Sequence, residues 1–109
     1  MPETLPAGDP FDALADPNRR EILRILGEAN RAVHEIADEL PISRPAVSRH
    51  LRLLSDAGFV SETRDGTRRI YALRAEGMDA VQAYLQRVWG EAATRFRLLA
   101  ENTAQQGNP

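Results

Sequence analysis

Apolar residues recur along this chain at steps of three and four in several stretches, and the period falls to two over only one short segment, so the pattern predicts a mainly helical fold with one β-hairpin. Ile22, Leu23, Ile25 and Leu26 form the first apolar face, opened by Asp16 as cap and Pro17 as first helical residue and closed by Gly27. A short helical turn at Phe11–Ala15 precedes it. Val33, Ile36, Ala37 and Leu40 form the second face, ended by Pro41. Only Pro41 and Ile42 separate that helix from Ser43, whose hydroxyl can cap a third helix with Val47, Leu51 and Leu54 inward and a stop at Gly58. Two short helices joined so tightly predict a helix-turn-helix over 33–57.

The period then changes. Val60–Arg64 and Thr67–Leu73 read as strands, and Asp65-Gly66 between them is a strong two-residue hairpin signal. That turn sets Val60 opposite Tyr71 and Glu62 opposite Arg69, with Val60, Tyr71 and Leu73 directed inward and the charged pair toward solvent. A hairpin over 60–73 directly after such a helix is expected to be the wing of a winged helix-turn-helix. From Glu76 to about Asn102 runs one long helix with Val81, Leu85, Val88, Ala92, Phe96 and Leu99 on a stripe flanked by Tyr84 and Trp89. A small domain has too little surface to bury all of it. The stripe is either monomer core or dimer seam, the helix's length favouring the seam, and an aromatic-lined small-molecule pocket is a further option. Residues 1–8 and 103–109 have the composition of disordered tails, leaving a single domain over 9–102.

With 109 residues the chain holds one ordinary domain. Its net charge of −2 does not by itself suggest nucleic acid, but between Ser43 and Arg69 six arginines meet three acids. The expectation is a basic face on an acidic body, since screening makes the distribution of charge count more than its total. All 14 basic residues are arginine, which suits phosphate and guanine but also follows from a GC-rich coding sequence. The absence of cysteine excludes disulfides and thiolate metal sites. No apolar run reaches bilayer length and the N-terminus is acidic and proline-bearing, so a cytoplasmic protein with no membrane partner is expected.

The chemistry therefore concentrates on the helix from Ser43. Its outer side offers Arg44, Pro45, Ser48, Arg49 and Arg52 close to the helix start, where a recognition helix meets base edges and phosphates in the major groove of double-stranded DNA. Arg44, Ser48 and Arg49 suit base edges, and Arg52 suits phosphate. Arg64, Arg68 and Arg69 at the hairpin could follow phosphates or the minor groove, or protect an edge strand by charge. His50, at the border of the apolar face, is either a hydrogen-bonded structural histidine or a phosphate contact. His34 reads as an exposed residue. Arg19 and Arg20 sit in a first helical turn, where the macrodipole disfavours cations, and are expected to be held by acids such as Asp16 or Glu21 or by a DNA phosphate, the salt bridge being the preferred reading. Two histidines far apart, no cysteine and no phosphate-binding glycine loop give no sign of an enzyme. The competing class is a winged helix kept only as a protein-interaction or dimerisation module.

The segments FDALADPNRREILRIL from Phe11, VHEIADEL from Val33, SRPAVSRHLRLLSDAGFV from Ser43 and TRDGTRRIYAL from Thr63 together resemble the ArsR (ArsR/SmtB) family of bacterial winged-helix repressors, from Phe11 to about Leu99. The resemblance implies a homodimer held by the first and last helices, with Phe11, Leu14, Val81, Tyr84, Leu85, Val88, Trp89 and Phe96 at the interface. It also implies two recognition helices in successive major grooves of an imperfect inverted repeat, and repression by blocking RNA polymerase. Family members that sense metals use cysteines near the first helix of the helix-turn-helix, or Asp, His and Glu on the last helix. Here the first position reads Val33-His34-Glu35 and the last helix has no histidine, Asp79 being the one residue that could match. A zinc site needs about four ligands. The chain thus resembles the members without a metal site or cofactor, some of which answer to an unidentified small-molecule effector.

Overall fold

The computed structural model describes residues 8–106, with elements in the order α1 (Pro10–Ala15), α2 (Pro17–Glu28), β1 (Arg31–Ala32), α3 (Val33–Asp38), α4 (Arg44–Asp56), β2 (Val60–Asp65), β3 (Arg68–Leu73) and α5 (Ala75–Gln106). Side-chain chemistry starts each short helix. Asp9 Oδ1 accepts from the Phe11 N–H at 2.9 Å ahead of Pro10, and Asp16 Oδ1 accepts from Asn18 and Arg19 at 2.8 and 3.2 Å ahead of Pro17. These bonds satisfy donors that no helical carbonyl can reach. Ala32 cannot cap α3, so Glu35 reaches back and takes the Ala32 N–H at 2.8 Å.

The three central helices enclose one core. Ile22 and Ile25 of α2, Ile36 of α3, and Val47, Leu51 and Leu54 of α4 are fully buried and meet Phe59 from the turn after α4 and Val60 and Tyr71 from the sheet. Burial of each such side chain contributes about 1.5–3 kcal/mol relative to exposure, so this cluster fixes α4 against its support. The helix ends in a Schellman motif, with Phe59 N donating to Leu54 O at 2.9 Å and Gly58 N to Ser55 O at 3.0 Å. Gly58 supplies the left-handed φ of 82° that this motif requires.

Several sequence expectations change. The helix expected over 33–40 ends at Asp38, leaving five residues before α4. Gly27 does not stop α2, which continues one residue to Glu28, where Arg24 meets Glu28 one turn below. Strand β1 was not expected. It pairs with β3 and makes a three-stranded antiparallel sheet in the order β1-β3-β2. The hairpin loop is Gly66-Thr67 rather than Asp65-Gly66, because Asp65 pairs with Arg68 and Gly66 carries the left-handed φ of 66° at the first loop position. The register therefore moves by two residues: Val60 faces Leu73, Glu62 faces Tyr71 and Arg64 faces Arg69. An even shift keeps every side chain on its expected face, so Val60 and Tyr71 remain buried. Leu73, expected inside, lies 48% exposed at the strand's end, in an open cleft beside Leu23 of α2 and Met78 of α5.

The last helix is longer than expected at both ends. It begins at Ala75 and continues through residues assigned to the C-terminal tail as far as Gln106; residues 107–109 of that tail, and 1–7 of the N-terminal one, lie outside the described residues. Gly8 is held by its N–H on Asp56 O at 2.8 Å. At 1.5 Å per residue the 32 residues of α5 span about 48 Å. The radius of gyration is accordingly 19.7 Å, against about 13 Å for a compact chain of this length.

Candidate nucleic-acid interface

Helix α4 divides by its own periodicity into two sides. Val47, Leu51 and Leu54 anchor one in the core, and Arg44, Pro45, Ser48, Arg49 and Arg52 are all exposed on the other. Ser43, extended at φ −73° and ψ 159°, accepts the Ala46 N–H at 3.3 Å, and Pro45 occupies the first turn, where its missing N–H has no helical partner to lose. The outer side is thus carried on a rigid element whose start is capped.

Part of the arginine charge is neutralised within the protein and part is left free. Among the described residues, ion pairs engage Arg24 with Glu21 and Glu28, Arg31 with Glu28, Arg68 with Glu35 and Arg74 with Glu76. Arg44, Arg49 and Arg52 of α4 and Arg64 and Arg69 of the wing pair with no carboxylate among those residues, and neither do Arg19 and Arg20 of α2 or Arg87, Arg95 and Arg97 along α5; α4 and the wing are where such arginines gather at the start of one core-anchored helix and the hairpin beside it. Unpaired cations, three of them on one helix face, favour an external anion.

The wing adds charge beside α4. Arg64, Arg68 and Arg69 are exposed on it, and Arg64 stands directly opposite Arg69. Like charges at a cross-strand pair cost stability unless an anion lies between or near them. The expected Glu62–Arg69 pair does not form. Instead the Tyr71 hydroxyl donates to Glu62 at 2.9 Å; burial, with the Glu62 bond behind it, pushes the phenol above its usual range. Arg68 reaches Glu35 at 3.2 Å. The Ala32 N–H, outweighing burial, and then the Arg68 charge hold the Glu35 carboxyl below its usual range. His34, Arg44, Arg68 and Arg69 line one small cleft between wing and helix start.

Arg19 and Arg20 do not form the expected salt bridges. Arg19 is buried, with Nε donating to Ala13 O at 2.8 Å, one terminal nitrogen to Asp12 O at 3.0 Å and the other to Nδ1 of His50 at 3.2 Å. Arg20 donates to Leu14 O and Ala15 O at 2.8 and 3.1 Å. Both cations satisfy carbonyls at the end of α1, the pole that attracts positive charge. His50 is half-buried on the flank of α4. The role of Arg19 was missed, although its spacing with Ile22 and Leu26 already places it on the inward side of α2.

The residues assigned to a dimer seam fall into two groups. Leu14 and Val81 pack against their own core. Phe11 packs edge-on against Tyr84 with ring centroids 5.1 Å apart, yet both stay about two-fifths exposed, as do Leu85 and Val88, while Trp89 and Phe96 are 60% and 73% exposed. Such an apolar strip along a projecting helix marks an interaction surface.

Known proteins resemble this chain over the same elements. The model of a family described as bacterial regulatory protein, arsR family, matches residues 16–62, from the cap of α2 into the wing. The HTH-type transcriptional regulator Rv2034 of Mycobacterium tuberculosis is 42% identical over 92 residues, 84% of this chain and 86% of that one. The HTH-type transcriptional repressor SmtB of the same species is 43% identical over 67 residues, 62% of this chain and 50% of its own length. Among solved structures, a possible transcriptional regulator for arsenical resistance superposes with a TM-score of 0.69 at 33% identity, over 85% of this chain and 95% of that one. The homodimeric winged helix-turn-helix DNA-binding domain of Mb0332 from Mycobacterium bovis gives a TM-score of 0.61 at 31% identity, over 80% and 81%.

Proposed function

Because the chain belongs to the ArsR family of bacterial regulatory proteins, and is with it a DNA-binding transcriptional regulator, we propose that it acts as a cytoplasmic homodimeric repressor that occupies an inverted-repeat operator and has no enzymatic activity. The observation that carries this reading is the set of exposed arginines of α4, Arg44, Arg49 and Arg52, left without carboxylate partners on a helix locked into the core. In this reading Arg44, Ser48 and Arg49 read base edges and Arg52 holds phosphate. The wing arginines grip the adjoining backbone, with Arg64 and Arg69 foremost because Glu35 already engages Arg68. The exposed strip of α5 joins two copies, so that two α4 helices enter grooves about one helical turn apart. The homodimeric state named for the Mb0332 domain supports this assembly.

Binding of a labelled duplex recovered by selection from random DNA, and of a scrambled duplex, tests the assignment. Arg49→Ala is expected to reduce preference for the selected duplex by about 1–3 kcal/mol. Arg64→Ala is expected to weaken both duplexes alike and to reduce the salt slope by about two units, one from each protomer of the dimer. If the two variants behave identically on both duplexes, the division of labour is wrong. A wild-type affinity that ignores salt would remove the DNA-binding reading itself.

A further inference from the structure

The contact between Arg19 and His50 contains more information than its distance. A guanidinium has only donors to offer, so the 3.2 Å approach of its terminal nitrogen to Nδ1 of His50 requires an Nδ1 that accepts and carries no proton. The imidazole is then neutral, and its single proton sits on Nε2. Arg19 cannot easily move away, since Ala13 O at 2.8 Å and Asp12 O at 3.0 Å hold two of its other donors and the side chain is 9% exposed. Among the described residues His50 has no other hydrogen bond, and its Nε2 is not sealed in the interior. The ring lies on the flank of α4, one residue from the exposed Arg49.

We propose that Arg19 is a positioning residue for DNA binding, which fixes His50 as the Nε2–H tautomer so that the flank of α4 presents a neutral, pre-aimed N–H donor to a backbone phosphate. This rests on the DNA-binding reading and adds to it a contact of different character from the arginines. A neutral donor aligned by a buried cation bonds phosphate with little loss of conformational freedom and displaces few counterions. It also ties the placement of α4 to the end of α1, whose Phe11 packs on Tyr84 of α5.

Imidazole nitrogen shifts in histidine-labelled protein test the tautomer without DNA. The chain has two histidines, and His34→Gln assigns them. At neutral pH His50 is expected to show an unprotonated Nδ1 and a protonated Nε2, and Arg19→Met to convert this into a mixture of tautomers. A protonated Nδ1 in the wild type, or a spectrum unchanged by Arg19→Met, overturns the proposal. If Arg19→Met does not fold, the wild-type spectrum and the His50 variants decide.

Binding to the selected and scrambled duplexes tests the phosphate contact. His50→Asn keeps an acceptor near the position of Nδ1 but has no group at that of Nε2, and is expected to bind both duplexes about tenfold more weakly with an unchanged salt slope. His50→Gln, whose amide nitrogen reaches the Nε2 position, is expected to stay within about twofold of wild type. Wild-type affinity in His50→Asn, or a slope reduced by about two units as for loss of a cation from each protomer, overturns the contact. A wild type that binds neither duplex removes the DNA-binding reading and the contact with it, while the imidazole spectrum still decides the tautomer. Binding by wild type and His50→Asn alike removes the contact alone.

Discussion

Asp16 illustrates how one side chain can serve several purposes in so small a protein. Its carboxylate caps α2 through two N–H groups, next to Arg19 and within electrostatic reach of His50. Burial raises its pKa, but the backbone bonds from Arg19 and Asn18, with the Arg19 charge beside them, outweigh it, and the carboxyl lies below its usual 3.8. A carboxylate depressed in the folded state stabilises the fold fully above its unfolded value, and that contribution is lost as pH falls through the folded value. Asp16→Asn should keep the cap and flatten the fall in stability below about pH 4, whereas Asp16→Ala should cost about 1 kcal/mol at neutral pH. Urea unfolding from pH 7 to pH 3 at fixed protein concentration checks this, and an acid limb as steep in Asp16→Asn as in wild type would contradict it. This cap was legible in the chain as Asp-Pro. The bonds of Arg19 were not, because backbone carbonyls accept alike from any residue and leave no trace in side-chain identity.

Among elements, the helices and the wing could be read from spacing, since burial of one face imposes a period that residue types must follow. What escaped was register and length. Strand β1 has two residues, too few for any period, and exists through pairing with β3. The hairpin register depended on which loop position takes the left-handed backbone, and Gly66 serves either loop until the ladder is seen. The two left-handed glycines are expected to differ in their tolerance of substitution. A Cβ on Gly66 meets nothing within 4 Å, so Gly66→Ala should cost about 1–2 kcal/mol from backbone conformation alone. At Gly58 the same atom meets Glu76 Oε1 at 2.8 Å and the Gly77 nitrogen at 3.0 Å, so Gly58→Ala should be the more destabilising. Equal unfolding midpoints for the two variants would show that the close approach of α5 to the end of α4 is readily relieved.

For the whole molecule, α5 decides more than its share of the chain suggests. Sequence spacing showed an apolar stripe too long for one small core, but not where core ended and exposed strip began. That boundary lies after Val81, which still packs inward, while the stripe residues from Tyr84 through Val88, Trp89 and Phe96 to Leu99 are exposed apart from half-buried Ala92. If the strip is a dimer seam, Val88→Asp should weaken self-association by about tenfold or more, because an unpaired carboxylate would be buried at its centre. Sedimentation of both proteins over a range of concentrations gives the answer, and a wild type that remains monomeric at high concentration would exclude the seam.

Helices in proteins owe most of their stability to the packing of an apolar face rather than to propensity. Among the described residues nothing large from its own protomer covers α5 beyond Val88, where Leu98 and Leu99 are 55% and 62% exposed. If a second copy is the cover, the order of this distal half is set by how many copies of the protein the cell contains. Dilution would melt the end of the helix first, and the regulator would lose its grip on DNA at a threshold of abundance rather than in proportion to it.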